Sequence, residues 1–273
     1  MKLLLRLTGI LVIICLAPLV LLVGCQSRMI YIPRPYPTET VTNWQKSVGG
    51  KPISFTTSQG RQNAFLQGKL DSPRNLWIVC AGNASVALDW SDWLAGNGPA
   101  QDAFLLVDFP GYGNCEGTPT PAHIAESFRA AVPIAAAELG MPAPPDPSRL
   151  RFFGHSLGAA AVMICSSEFS IQRGVLLSPF TSTMDMAKEV TGLPIGFLVT
   201  HRYDNLARLA EIADRGPGKI IILHGDQDRI IPIKMSRRLA ASHPEITRLI
   251  TIEGSSHNTI PQQLATALES AGE

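Results

Sequence analysis

The sequence contains few charged residues and almost no net charge. Lysine, arginine, aspartate and glutamate make up 16% of the 273 residues, and the formal net charge is +1. No stretch has the density of basic residues that nucleic-acid binding needs, so we expect no nucleic-acid partner. Hydrophobic residues make up 45% of the chain. The composition therefore predicts a substantial core, in a chain long enough for one large α/β domain or two small ones.

Cysteine is also scarce. Five cysteines are present, and only Cys80, Cys115 and Cys165 follow residue 25. Three cysteines cannot form a complete set of disulfides. Because their surroundings are apolar or glycine-rich, we interpret them as small buried hydrophobic residues. A Cys80–Cys115 disulfide is the alternative in an oxidising compartment. No group of histidine, cysteine and aspartate residues has zinc spacing, so we predict neither a metal nor a cofactor.

The N-terminal segment has the pattern of a signal peptide. Lys2 and Arg6 are followed by an apolar run over residues 7–23, which matches the charged and hydrophobic regions of an export signal. The run ends in Leu-Val-Gly before Cys25. This ending resembles the lipobox of bacterial lipoproteins, so we predict a signal peptide over residues 1–24 and lipidation of Cys25. An uncleaved membrane anchor is the alternative, since the run is nearly long enough to span a bilayer.

Both alternatives predict an exported protein that is held at the cell envelope by its N-terminus. Gln26 follows the cysteine. An aspartate there favours inner-membrane retention of lipoproteins, so the resemblance implies the outer membrane if the source is Gram-negative. Pro33, Pro35 and Pro37 exclude regular helix from residues 26–40. We therefore assign residues 25–50 to a short extended tether that lies on the domain formed by residues 51–273.

Short apolar runs alternate with helical patterns through this domain. Residues 53–57 and 64–68 predict a β-hairpin. Solid apolar strands alternating with helices are typical of a mostly parallel sheet that is covered on both faces. The longest piece without a strand, residues 183–215, leaves room only for a small lid, and we find no internal repeats. The predicted buried strands are residues 76–81, 103–107, 150–153, 174–177, 219–223 and 249–252.

The pattern G-x-S-x-G occupies residues 154–158, between a predicted strand and a predicted helix. A serine on such a tight turn has a strained backbone, and Gly154 and Gly158 remove the side chains that would clash. The turn lifts the Ser156 hydroxyl above the sheet edge and directs the helix N-terminus at the space beside it. We therefore predict that Ser156 is a nucleophile. A glycine-rich helix start with a capping serine is the alternative.

A serine nucleophile needs a base within hydrogen-bond reach and an acid that orients the base. In a strand–turn–helix site, the three follow in the order serine, acid, histidine. His257 lies in a loop directly after the strand at residues 249–252, and we predict that it is the base. His243 falls in a helix-end turn, and His224 falls at a strand end where it would structure the next loop.

The acid is expected in the loop after the strand at residues 219–223. Asp226 is close to that strand, where a carboxylate can tie the loop by accepting backbone N–H groups. Asp228 lies further out and is better placed to reach the loop of a neighbouring strand, so we predict that Asp228 is the acid. Asp185 and Asp204, after the preceding strand, are weaker candidates.

Acyl transfer also needs N–H donors for the developing oxyanion. The N–H of Leu157, directly after the serine, is predicted to supply one. The loop after the strand at residues 76–81 is predicted to supply the second. We choose the N–H of Asn83, with Ala84 as the second choice, and an ordinary turn is the alternative reading of this loop.

Taken together, these motifs resemble the α/β-hydrolase fold and, within it, the hydrolases related to serine aminopeptidases and to the depalmitoylase-like ABHD proteins. Two positions depart from the pattern, because Ala81 stands where members usually have histidine and Cys115 stands where serine is common. The matching segments, which span about residue 51 to the C-terminus, are A-G-N-A at 81–84, D-F-P-G-Y-G at 108–113, E-G-T-P at 116–119, G-H-S-L-G at 154–158, S-P-F-T-S at 178–182, H-G-D-Q-D at 224–228, I-P at 231–232 and G-S-S-H-N at 254–258.

The resemblance implies a serine hydrolase with the triad Ser156, Asp228 and His257 and with Asn83 and Leu157 as backbone donors. We expect two-step acyl transfer from a small carboxylic ester or thioester to water. A peptidase on the same triad and a lipoprotein scaffold without turnover are the alternatives, since a fold does not dictate function. The motifs are specific for the fold and the triad and much less so for the substrate.

Overall fold

The structure is a computed structural model that describes residues 23–273. Of the predicted signal peptide, residues 1–24, only Val23 and Gly24 fall within this range. Within it, no helix combines the length and the hydropathy needed to cross a bilayer.

The described strands form one eight-stranded sheet with the order β1-β2-β4-β3-β5-β6-β7-β8. Strand β2 pairs antiparallel with both β1 and β4, and every other neighbouring pair is parallel. The predicted hairpin and the mostly parallel sheet are therefore confirmed. The strands are β1 (Lys51–Thr57), β2 (Gly60–Gly68), β3 (Leu76–Cys80), β4 (Ala103–Val107), β5 (Leu150–His155), β6 (Arg173–Leu177), β7 (Lys219–Gly225) and β8 (Thr247–Ile252).

Helices cover both faces of the sheet, so side chains that alternate along a central strand enter two different cores. On β3, Leu76 and Ile78 pack into one apolar cluster, whereas Trp77 and Val79 pack into the other. Burial on both faces explains why the central strands are solid apolar runs. The helices of the described range are α1 (Gln26–Ile30), α2 (Thr40–Val48), α3 (Ser91–Asn97), α4 (Pro121–Glu138), α5 (Leu157–Phe169), α6 (Thr183–Thr191), α7 (Asn205–Asp214), α8 (Lys234–Ser242) and α9 (Gln263–Gly272).

The segment before β1 differs from the extended tether predicted for it. Gln26–Ile30 forms a short helix, because the helix-breaking prolines begin only at Pro33. Residues 31–37 form neither helix nor strand, and helix α2 follows them. Tyr31 and Trp44 are 2% and 5% exposed and belong to the two apolar clusters. This segment is therefore packed into the domain.

The segment between β6 and β7 covers the carboxyl edge of the sheet. It consists of α6, a 3-10 turn at Gly196–Leu198 and α7, which matches the small lid expected there. Its position matters because ligands of parallel α/β sheets bind outside the carboxyl ends of the strands.

Cys80 and Cys115 are separate buried thiols, so the disulfide considered as an alternative is not formed. Cys80 is fully buried at the end of β3, and Cys115 Sγ accepts the N–H of Asn63 at 3.2 Å. Both behave as the small buried residues that their apolar surroundings predict.

Candidate active site

Ser156 lies on the turn between β5 and α5 and has a φ of +55°. A serine rarely adopts this left-handed conformation, which costs free energy. Residues with such strained backbones often lie at functional sites, and a strand–turn–helix motif requires one at this position. A Cβ atom added to Gly154 would lie 2.4 Å from the Gly158 carbonyl oxygen, and one added to Gly158 would lie 2.2 Å from the Cys80 oxygen. The two glycines are therefore required by close backbone approach, which agrees with the reason that the motif predicts.

The backbone of Ser156 is fixed and its hydroxyl faces a cavity. Its N–H donates to the Leu177 carbonyl oxygen on β6 at 2.9 Å. Among residues 23–273, the Ser156 hydroxyl has no hydrogen-bond partner, and both Ser156 and Leu157 line the cavity. Leu157 is the first residue of α5, so the N-terminus of this helix begins beside the hydroxyl.

The structure brings Asp228 and His257 together. Nδ1 of His257 lies 2.6 Å from Oδ2 of Asp228, and the two side chains are 7% and 0% exposed. Asp228 lies in the loop after β7 and His257 in the loop after β8, and β7 and β8 are neighbouring parallel strands. Adjacent carboxyl ends thus place an aspartate beside a histidine although the two are 29 positions apart in the chain.

Asp228 is surrounded by hydrogen-bond donors. Oδ1 accepts the N–H groups of Ile230 and Ile231 at 2.8 and 2.9 Å, and Oδ2 also lies 3.1 Å from Nε2 of His224. Burial opposes ionisation, but the hydrogen bonds from His224 and His257 outweigh it and hold the pKa of Asp228 well below its usual range. The carboxylate is therefore ionised and fixed in orientation.

The other aspartates that we considered have different partners. Oδ1 of Asp226 accepts the N–H of Gly254 at 2.8 Å and thereby ties the β7 loop to the β8 loop. Asp185 accepts the Thr181 hydroxyl at 2.6 Å and forms an ion pair with Arg238. Asp204 caps α7. These contacts leave Asp228 as the carboxylate that meets His257.

His155 is a residue of the site that our sequence reasoning missed. Nε2 of His155 lies 3.0 Å from the His257 carbonyl oxygen, and the two rings are 5.0 Å apart. Burial and the neighbouring His257 lower the pKa of His155 to about 4. A neutral imidazole donating from Nε2 thus fixes the backbone of His257. The only feature of the sequence that could have indicated a role for His155 is its position directly before Ser156 in the G-x-S-x-G motif.

Asn83 lies on the cavity wall, and its side chain is bound to the surrounding loops. Oδ1 accepts the N–H groups of Ile32 at 2.9 Å and Ala84 at 3.0 Å and the Tyr112 hydroxyl at 2.8 Å, while Nδ2 donates to the Ile30 carbonyl oxygen at 2.8 Å. The N–H of Ala84 is thereby occupied. The Asn83 N–H has no partner among residues 23–273, which leaves it available as a donor.

The cavity above Ser156 has a volume of about 350 Å³ and is predominantly apolar. Five parts of the chain form its walls: helix α1, the loop that holds Asn83, the turn that holds Ser156, the lid segment between β6 and β7, and the loop that holds Asp228. Within residues 23–273, no group of three histidine, cysteine or carboxylate side chains could hold a metal ion. The apolar residues that line the cavity are Met29, Ile30, Leu157, Phe180, Met186, Ala187, Val190, Ile195, Leu198, Val199, Ile230 and Ile231.

Comparison with known sequences gives distant relatives. No protein-family profile matches the chain. The uncharacterized protein Rv2307c of Mycobacterium tuberculosis is 28% identical over 239 residues, which cover 85% of this chain and 80% of that protein. The uncharacterized protein YfhR of Salmonella typhi is 27% identical over 227 residues, which cover 75% of this chain and 73% of that protein.

Comparison with solved structures identifies the fold. The Pyrococcus furiosus esterase Pf2001 superimposes with a TM-score of 0.62 at 16% identity, over 88% of this chain and 95% of the esterase. TT1662 of Thermus thermophilus gives a TM-score of 0.56 at 20% identity, over 82% and 98% of the two chains. Esterase 2 of Thermogutta terrifontis, phosphorylated by paraoxon, gives a TM-score of 0.58 at 15% identity, over 82% of this chain and 92% of that esterase. The chain has the α/β-hydrolase fold.

Proposed function

We propose that this chain, an α/β-hydrolase fold with a serine on the nucleophile turn, is a serine hydrolase that cleaves carboxylic esters or thioesters of acyl chains. The observation that carries the proposal is the 2.6 Å contact between Asp228 and His257, both buried and on loops at the carboxyl edge that Ser156 shares. The structural likeness to proteins described as esterases supports the same class of reaction.

In the proposed first step, Ser156 Oγ bonds to the substrate carbonyl carbon while its proton passes to Nε2 of His257. Asp228 keeps the imidazole in the required orientation and stabilises the imidazolium. The N–H groups of Asn83 and Leu157 receive the oxyanion. His257 then gives the proton to the leaving alcohol or thiol, the bond between carbonyl carbon and leaving group breaks, and an acyl-serine remains.

In the second step, water attacks the acyl-serine and gives a proton to His257. The bond from the carbonyl carbon to Ser156 Oγ breaks, and the proton returns to the serine as the carboxylic acid leaves. No other group has to supply an electron or a proton. All reacting atoms thus come from the ester, water and the triad.

The cavity supports an acyl chain as the group that is bound. Its walls are predominantly apolar, and the polar residues that line it are Gln26, Asn83, Ser156, Thr183 and Thr191. An acyl chain gains free energy in such a pocket by leaving water, whereas a peptide would bury amide groups without partners. The lining therefore favours esters and thioesters over a peptide substrate.

Exposed apolar side chains lie around the mouth of the cavity and support a location at the membrane surface. Val190, Phe197 and Met29 are 75%, 66% and 59% exposed, and Val190 and Met29 also line the cavity. Clusters of this kind mark contacts with lipid or protein. Cys25 is exposed directly before α1. We propose that lipidated Cys25 holds the mouth near the bilayer of the cell envelope.

A fluorophosphonate probe and a series of p-nitrophenyl esters of increasing chain length test the proposal. We expect the wild type to be labelled and to hydrolyse the esters, and we expect Ser156→Ala to lose labelling and to keep only about 10³–10⁴-fold catalysis over water. Adding His257→Ala to Ser156→Ala should cost little more, because the two residues act as one unit.

The outcomes separate the competing functions. If the protein hydrolyses aminoacyl amides in preference to esters, its function is that of a peptidase and not of an esterase. A folded wild type that neither reacts with the probe nor hydrolyses any acyl ester would leave a scaffold without turnover.

A further inference from the structure

The short helix after Cys25 is fixed to the lid by one buried amide. Gln26 is only 6% exposed. Its Nε2 donates to the Leu198 carbonyl oxygen at 2.6 Å, and its Oε1 accepts both the N–H of Thr200 at 2.7 Å and the Thr200 hydroxyl at 3.0 Å. Buried amides are costly unless they are paired, and this one has three partners more than 170 residues away in the chain.

The other end of the same segment is fixed to the loop that carries Asn83. The Asn83 side chain donates to the Ile30 carbonyl oxygen and accepts the Ile32 N–H, at 2.8 and 2.9 Å. Between them, the Tyr31 hydroxyl lies 2.9 Å from the Tyr203 hydroxyl, and Tyr31 is 2% exposed. Residues 26–32 therefore have partners on both sides of the cavity.

Between these attachments, the helix presents apolar side chains to the cavity. Met29 and Ile30 line it together with Met186 and Val190 of helix α6. The bonds of Gln26 hold the start of the helix against Leu198 and Thr200, and the Tyr31–Tyr203 hydrogen bond attaches the end of the segment to the same lid.

We infer that residues 26–32 are a specificity-determining part of the active site, and that the Gln26 amide sets the width of the pocket for long acyl chains. The inference rests on the proposed function for its substrate class. Gln26 is a positioning residue, since it acts through the walls that it joins. A short acyl group has fewer methylene groups to place against these walls than a long one, so we expect its hydrolysis to depend less on Gln26.

The test compares full-length variants, purified in the same detergent, on p-nitrophenyl butanoate and dodecanoate. Gln26→Ala should lower the ratio of dodecanoate to butanoate kcat/KM by roughly 10-fold, the equivalent of one or two methylene groups no longer buried. Met29→Ala should also lower the ratio. Because Met29 is 59% exposed, the substitution should leave the fold intact. Ser27→Ala is the matched control, since Ser27 lies outside the set of described residues that line the cavity.

A second measurement does not depend on turnover. In the Ser156→Ala background, a fluorescent fatty acid should bind and dodecanoate should displace it, and adding Gln26→Ala should weaken that binding by a similar factor. If the wild type hydrolyses esters but Gln26→Ala and Met29→Ala leave both the ratio and the binding unchanged, the inference is wrong and the proposed function stands. If no variant hydrolyses esters but Gln26→Ala weakens fatty-acid binding, the proposed function is wrong, and only the role of Gln26 in setting the width of the acyl-binding pocket stands. Absence of any fatty-acid binding to Ser156→Ala would overturn the inference.

Discussion

Nε2 of His224 lies 3.1 Å from Oδ2 of Asp228, and both side chains are fully buried. The same carboxylate oxygen is 2.6 Å from Nδ1 of His257. Nε2 of His224 is also 2.9 Å from the Ile231 carbonyl oxygen, and its Nδ1 is 2.6 Å from the Ser236 hydroxyl. The imidazole of His224 is therefore fixed on both sides and restricts the carboxylate that orients the proposed base.

His224→Leu should lower kcat by about 10- to 100-fold, because a hydrogen bond to a charged group contributes about 1.5–3 kcal/mol. His224→Gln keeps a donor near the position of Nε2 and should recover most of the loss. Both kcat and the melting temperature are measured for each variant. If both variants keep the kcat of the wild type and only their melting temperatures change, His224 has a structural role alone.

Asp228→Asn and Asp226→Asn form a matched pair on one loop. Asp228→Asn should reduce kcat by roughly 10³–10⁴, because the imidazole of His257 loses the group that orients it. Asp226→Asn should act mainly on stability, since its carboxylate ties the loop to the Gly254 N–H. Turnover and thermal unfolding are recorded for both, and the opposite ranking in kcat would assign the acid to Asp226.

Local patterns in the sequence were sufficient for the fold and for the position of Ser156 between a strand and a helix. The apolar runs predicted the sheet, and the strand–turn–helix motif placed Ser156, because each of these signals lies within a few residues. The packing of Gln26 on Leu198 could not be predicted in this way, since the contact joins residues 172 positions apart. The same holds for His155 against His257, which are 102 positions apart. Such contacts depend on the assembled sheet.

The buried imidazole of His155 should make stability depend on pH. Its pKa is lowered to about 4 in the folded state, against about 6.5 for an exposed histidine. Below about pH 6.5 the unfolded chain takes up a proton that the folded protein does not bind until about pH 4. The resulting stability is fully present above about pH 6.5 and is lost as the pH falls to about 4, by at most about 3 kcal/mol.

His155→Gln isolates this effect, because glutamine can still donate to the His257 carbonyl oxygen but does not titrate. The free energy of unfolding is measured by denaturant titration at several pH values between 4 and 7. We expect the wild type to lose more stability than the variant across this range, and parallel curves would show that His155 is not held neutral.

Gly158→Ala tests the close backbone approach at the turn that carries Ser156. An added Cβ would lie 2.2 Å from the Cys80 carbonyl oxygen and 2.4 Å from that of Ala81. Backbone atoms at the end of a central strand cannot move aside as a flexible side chain can. The substitution should therefore lower the free energy of unfolding by about 3 kcal/mol or more and should reduce labelling of Ser156.

Gly96→Ala is the control, because it makes the same substitution at a glycine where an added Cβ has no steric conflict. Gly96 lies exposed in helix α3, and an added Cβ would meet no atom within 4 Å. Alanine there should raise the free energy of unfolding by about 0.5–1 kcal/mol, because glycine loses more conformational freedom on folding. Chemical denaturation of both variants thus measures two effects of opposite sign from the same substitution. If Gly158→Ala were as stable as the wild type, the α5 helix would not have to pack this closely on β3, and the motif would lose its steric explanation.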